Sequence, residues 1–241
     1  MAKFGSSSVF YLVDGRSLLG SKPKGLSYKI KAEHEEATGL GDTILHSLPT
    51  GIQSVDLVQT GAFFDTTNTH TYLSDVADSP QETLAVACCG FGGNTIELPF
   101  VGFGGVFKAE YDVISQVGNL TKANTKYGFN GSVEQGVILY PLAAATIDAN
   151  STTVDQSAGT TAGGAGYVQC TAFSGLTNVI YTIEHSTDGA SWSTLITFST
   201  ITSAPTAELV AVSGTVNRYV RAVVNVTGTG SATAFVGFKR N

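Results

Sequence analysis

Between residues 167 and 238 the chain repeats one pattern: a short apolar segment, then residues that turn the backbone. The segments are Tyr167–Phe173, Val179–His185, Trp192–Phe198, Ala207–Val212, Tyr219–Val226 and Ala232–Phe238. They are rich in Val, Ile, Thr and aromatic side chains, which suit a pleated surface. Ser186-Thr187-Asp188-Gly189, Ser203-Ala204-Pro205 and Gly228-Thr229-Gly230 lie between them and supply turn chemistry. Short strands at regular spacing predict a small all-β sandwich. In the hairpin His185 to Trp192, the Trp192 side chain is expected to anchor the core.

The first half reads as a second β-rich part. Strands are expected at Val9–Val13, Leu26–His34, Ile52–Gly61, Thr83–Cys89, Val101–Ile114 and Asn130–Tyr140. Along the second of these, Tyr28, Ile30 and Ala32 alternate with Lys29, Lys31, Glu33 and Glu35, so one face is expected to be buried and the other wet. Lys108, Glu110 and Asp112 oppose Ala109, Tyr111 and Val113 in the same way, and Glu134 faces away from Val133 and Val137. One flanking helix is expected, capped by Asp65, with Tyr72, Leu73 and Val76 as its apolar stripe. Gly90-Phe91-Gly92-Gly93 and Gly102-Phe103-Gly104-Gly105 read as two Gly-rich turns. Residues 151–166 are small and polar, without periodicity. The expected organisation is therefore a β domain over 1–145, a linker or long loop over 146–166, and a C-terminal β-sandwich over 167–241.

Composition narrows the function. The formal charge is −6 and charged residues make up only 13% of the chain. Grasping nucleic acid needs clustered Lys and Arg, and the longest basic stretch, Lys22 to Lys31, is interrupted and followed by acids. Met1 to Ser8 has no apolar core before a cleavage site, and no apolar run approaches the ~20 residues of a membrane span. A cytoplasmic site of synthesis and no membrane partner are expected. Cys88 and Cys89 are adjacent and Cys170 is distant, which suits small strand residues better than a disulfide or metal site. His34-Glu35 begins like a zinc-hydrolase motif, but Thr38 stands where the second His belongs. No Gly-Lys-Ser/Thr cradle and no G-x-S-x-G elbow occurs, and Glu35 and Glu36 point to opposite sides of an extended segment. The expectation is a chain that is not an enzyme and carries no catalytic, metal or cofactor site.

One ordered set of motifs bears on assembly: Val9–Gly20, Glu35–Asp42, Leu48–Ile52, Gly61–Asp65, Phe100–Phe103, Gly131–Leu139, Thr215–Tyr219 and Phe235–Arg240. In this order the chain resembles the tail tube (major tail) proteins of long-tailed bacteriophages. The resemblance implies a tail-tube-type β-sandwich with a flanking helix, closed into rings, hexamers in preference to trimers. The rings stack into a virion tail tube through which DNA is ejected. It implies contacts with further copies and with tape measure, terminator and distal tail proteins, while DNA passes without specific binding. The N-terminal arm and the long loop at Glu33–Thr50 would bridge rings, through Glu35, Glu36, Thr38, Leu40 and Asp42. Lumen candidates are Lys29, Lys31, Glu33, Lys108, Glu110, Asp112 and Glu134, each expected on the polar side of a strand. The additional C-terminal sandwich departs from minimal tube proteins. It would be an outward decoration or part of the wall. Two rival readings are a sugar-binding β-sandwich module, with an aromatic patch near Trp192, and a capsid decoration protein.

Overall fold

The computed structural model describes residues 10–18, 23–38, 40, 43–44, 46–66, 70, 72–73 and 85–241. Among them the chain is all-β and antiparallel. Its strands are β1 (Phe10–Val13), β2 (Arg16–Ser17), β3 (Gly25–Glu36), β4 (Ser47–Phe63), β5 (Ala85–Gly90), β6 (Pro99–Ile114), β7 (Lys122–Phe129), β8 (Val133–Ala145), β9 (Ala149–Asn150), β10 (Val154–Asp155), β11 (Gly164–Ser186), β12 (Ser193–Thr197), β13 (Thr206–Val212) and β14 (Tyr219–Arg240). The chain divides into two units. One comprises Met1–Gly20, Leu84–Gly105 and Gly131–Asn241, the other Ser21–Thr83 and Val106–Asn130. This division differs from the boundaries expected at 145 and 167, because β1, β5, β8 and the first part of β6 share a sheet with the C-terminal strands.

The frame of the first unit is a pair of long strands, β11 and β14. They pair from Gly164 opposite Arg240 to Ser186 opposite Tyr219. Four of the segments expected as separate strands are thus halves of two. The register slips between Cys170 and Ala172 and again on both sides of Leu176. There Gly175 and Gly228 take φ values of +75° and +100°, which a side chain with a Cβ avoids. Such bulges bend a strand, so the pair folds over on itself. Before the bend β13 and β8 extend it; beyond the bend β12, β9 and β10 do. The two layers enclose one core, in which Val168, Cys170, Val236 and Phe238 from one arm meet Tyr181, Ile183, Val220 and Ala222 from the other.

The intervening residues face the opposite side, as a period of two requires. Tyr167 and Phe235 pack with Phe10, Leu12, Cys88, Phe100 and Ile138 in a second core. Gly102 lies within β6 and not in a turn: a Cβ there would meet the Tyr167 ring at 2.5 Å. All three cysteines are free and buried.

Residues 151–166 are not a free linker. They are tied to the edge of β14. Ala149–Asn150 pairs with Val224 and Val223, Val154–Asp155 with Val220 and Tyr219, and Thr160 with Val216. Small polar residues satisfy that edge directly: the Ser151 hydroxyl accepts from Ala222 N at 2.9 Å. Arg218 grips Asp155 with two bonds, of 2.7 and 2.6 Å. This guanidinium, helped by Ser157 N, holds the Asp155 carboxyl at a pKa of about 2. A depressed folded-state pKa gives stability that is present above the unfolded value and lost as pH falls through the folded one. Asp155→Asn is therefore expected to flatten the acid limb of thermal stability between about pH 4 and pH 2. Identical acid limbs in the two proteins would refute this role.

Trp192 is only half-buried. Its ring is covered by the Arg221 guanidinium at 4.2 Å, itself paired to Glu184 at 2.7 Å. The core position expected for it is filled by Ile196 and Phe198. The hairpin before it is fixed instead by polar bonds: the Asp188 carboxylate accepts from Ala190 N and Ser191 N at 2.9 and 2.8 Å. Those bonds lower the Asp188 pKa.

The second unit is a four-stranded sheet in the order β3, β4, β7 and the latter part of β6. Leu57, Gln59, Ala62, Ala123, Thr125 and Tyr127 are buried. Leu73 is buried too, and the His70 ring lies 2.9 Å from the Tyr111 hydroxyl. His70, Tyr72 and Leu73 are helical, and His70 N donates to Asp65 O at 2.8 Å. The expected stripe residue Val76 and most of that helix lie outside the described residues. The strand β7 was not expected from sequence. Its buried positions are Ala123, Thr125 and Tyr127, too small or polar to stand out as an apolar alternation.

Candidate assembly surface

Strand β4 is 17 residues long, and β7 covers it only from Leu57 onward. Before Leu57, β4 pairs with β3 alone. Lys29–Glu36 and its partner strand therefore form a two-stranded arm of about 25 Å at the usual strand rise. The segment expected as an extended loop over Glu33–Thr50 is thus strand at both ends, and the connecting loop is residues 37–46.

The arm is pinned at an irregularity. Its register shifts between Ala32 and His34, and Glu33 sits at the shift. The Thr50 hydroxyl donates to Glu33 O at 2.9 Å, and the Ser54 hydroxyl to the Glu33 carboxylate at 2.6 Å. Lys31 lies 3.1 Å from the same carboxylate. The Ser54 bond, then the Lys31 bond, lower the Glu33 pKa. At the tip, Ala37 N donates to His46 O at 2.9 Å, and His46 N to the Thr38 hydroxyl at 3.0 Å.

Of the bridging residues expected from sequence, Glu35 and Glu36 end β3 opposite Leu48 and Ser47, Thr38 closes the loop, and Leu40 is fully exposed. Asp42 lies outside the described residues. The apolar face of β3 is covered at Tyr28, opposite buried Leu57, but Ile30 and Ala32 are exposed. Their partners lie beyond the end of β7, so nothing in the sheet backs them. Ile44 and Leu48, within the expected bridging segment but not among its named bridging residues, are also exposed on the arm. The readable signal was two branched apolar residues in a polar, Gly-containing stretch.

The expected lumen residues separate into groups. Lys29 stands opposite Asp56, Asp56 is 3.0 Å from Lys126, and Lys126 stands opposite Glu110. Asp112, opposite Asn124, continues that face. Lys31 and Glu33 lie further out on the arm. The register shifts between Lys108 and Glu110, which places Lys108 opposite buried Tyr127. The pairing of β6 with β7 is thus out of step by one residue between these two positions. Glu134 belongs to the first unit, where it accepts from the Tyr167 hydroxyl at 2.8 Å. Burial, then the Glu134 charge, raise the Tyr167 pKa.

Among the described residues no group of three or more His, Cys, Asp or Glu is placed to hold a metal ion. No helix among them is long and apolar enough to cross a membrane.

No family model matches the chain, and no curated protein matches it. Among solved structures, the chain is similar to the SPP1 Dit protein, titled a paradigm of hub adsorption apparatus in Gram-positive infecting phages. That match has 12% identity, covers 96% of this chain and 99% of that one, and has a TM-score of 0.34. It is also similar to the structure of infectious bursal disease virus Gx strain, with 10% identity, 98% and 68% coverage and a TM-score of 0.27. Likenesses at these scores carry no argument about function.

Proposed function

We propose that this chain is a non-catalytic structural virion protein whose copies form rings and stack into a phage tail tube, the conduit for DNA ejection. The observation that carries this reading is the two-stranded arm. A lone two-stranded ribbon is marginally stable in water, yet this one extends well past the sheet and ends in the exposed Leu40 and Ile44. It occupies the segment that the order of motifs assigns to bridging successive rings. The natural role for such an arm is to become the third element of something outside its own subunit. Hexameric rings are the preferred closed form, and the other tail proteins would meet the tube at its ends or inside it. Negative-stain microscopy of the purified protein at high concentration is expected to show rings or tubes. A strict monomer at every concentration would refute the reading.

The charged face around Asp56, Lys126, Glu110 and Asp112 is the proposed lumen wall. Residues 1–145 carry nine Lys and Arg against fourteen Asp and Glu, and like charge lets a polyanion slide without being held. Glu134 is left out, because it serves Tyr167. The double variant Glu110→Lys, Asp112→Lys is expected to assemble normally but to eject DNA more slowly. Unchanged ejection from intact mutant tails would remove these acids from the channel.

A further inference from the structure

Ten large apolar side chains are exposed among the described residues, and all but Ile147 belong to the second unit. They fall into two sets. Ile30, Leu40, Ile44 and Leu48 lie on the arm. Phe63, Val113, Ile114, Val117 and Leu120 lie at the other end of the same sheet. The register fixes this polarity. Phe63 and Ile114 both stand opposite Lys122 at the start of β7, whereas the arm lies at the start of β4. Val117 and Leu120 project from the β6–β7 connection at 105% and 69% exposure.

We infer that the Phe63–Val113–Ile114–Val117–Leu120 end is the receiving surface for the arm of a second copy of this chain. The inference rests on the tube reading for its biological setting and adds the surface that the arm engages. Three observations select a second copy as the occupant. The apolar residues are concentrated at the two ends of one sheet, where scattered exposure would need no explanation. The sets are of similar size, four side chains against five, so each can cover the other. The arm also ends in Glu35 and Glu36, while the receiving end carries Lys24 and Lys122; none of these four makes an ion pair among the described residues. The acids nearest that end are Asp65, two residues beyond Phe63, and Asp112, opposite Asn124. Two different patches on opposite ends make a heterologous contact, which propagates head to tail unless its rotation closes a ring.

Two variants block one end each. Val117→Asp with Leu120→Asp spoils the receiving end, and Ile44→Asp with Leu48→Asp spoils the arm. All four positions are exposed, so unchanged circular dichroism and thermal midpoints should certify both proteins as folded. Each alone is expected to raise the critical concentration for elongation by at least about thirtyfold, the range of interface hot spots. Mixed in equal amounts they retain one intact arm and one intact receiving end. Sedimentation should then show a single pairing step, monomer with monomer or ring with ring, and no longer stacks. Elongation of the Val117→Asp, Leu120→Asp protein at the wild-type concentration would overturn the inference, as would a mixture that does not pair. Failure of the tube reading is separable: wild-type protein growing head to tail into open chains without rings would refute tubes and leave this contact standing.

Discussion

Replacement of Ala37–His46 by a two-residue Asn-Gly turn is expected to give a folded subunit that cannot stack. The strands on either side are already in register, with Glu36 opposite Ser47, and a two-residue Asn-Gly turn matches the twist of such a pair. The replacement takes away the exposed Leu40 and Ile44 and the two tip hydrogen bonds. Leu40 and Ile44 are exposed at 111% and 69%, so their removal vacates no buried site. The thermal midpoint should therefore stay within a few degrees, because a change of about 1 kcal/mol shifts a protein of this size by only roughly 2–4 °C. Microscopy should show no tubes at concentrations where the full chain assembles. Tubes of normal length would show that the loop is dispensable.

The second large effect concerns stability. Phe238→Ala is expected to destabilise the first unit by about 3–5 kcal/mol, the cost of emptying a large aromatic site. Phe238 is fully buried in the core between the two layers. Two glycines leave it room: a Cβ on Gly164 would meet its ring at 2.6 Å, and one on Gly136 would meet its carbonyl oxygen at 2.4 Å. Neighbours held this closely cannot collapse far into the vacated space, so the loss should lie toward the upper end. Urea denaturation followed on the transition that includes Trp192 would measure it. A loss below about 1 kcal/mol would mean that this ring does not sit in a close-packed interior.

The β class was legible because alternation and turn residues act locally, and most expected strands overlap real ones. What escaped depends on partners distant in sequence. Tyr219–Val226 and Ala232–Phe238 look separate because Gly228-Thr229-Gly230 reads as a turn; only pairing with β11 shows them as one bent strand. Residues 151–166 read as a linker because no large apolar residue follows Val154 in them, whereas backbone pairing to the edge of β14 needs none. The register shift between Lys108 and Glu110 follows from one inserted residue opposite β7, which no periodicity in β6 announces. The Glu33–Thr50 segment was singled out as a loop and not as a strand pair, and its exposed apolar tip was masked by surrounding polar residues. The receiving end was missed because Val117 and Leu120 sit singly among turn residues.

The shared backbone of β11 and β14 has a further bearing on how the first unit comes apart. A sandwich made from separate strands can lose one sheet while keeping the other. Here each layer contains half of the same two strands, joined through the bulges at Leu176, so fraying one layer pulls on the other. Residues 164–240 should behave as one cooperative block in hydrogen exchange. Their slowest amides would share a single opening free energy across both layers, so the block would resist pulling until it ruptures as a whole.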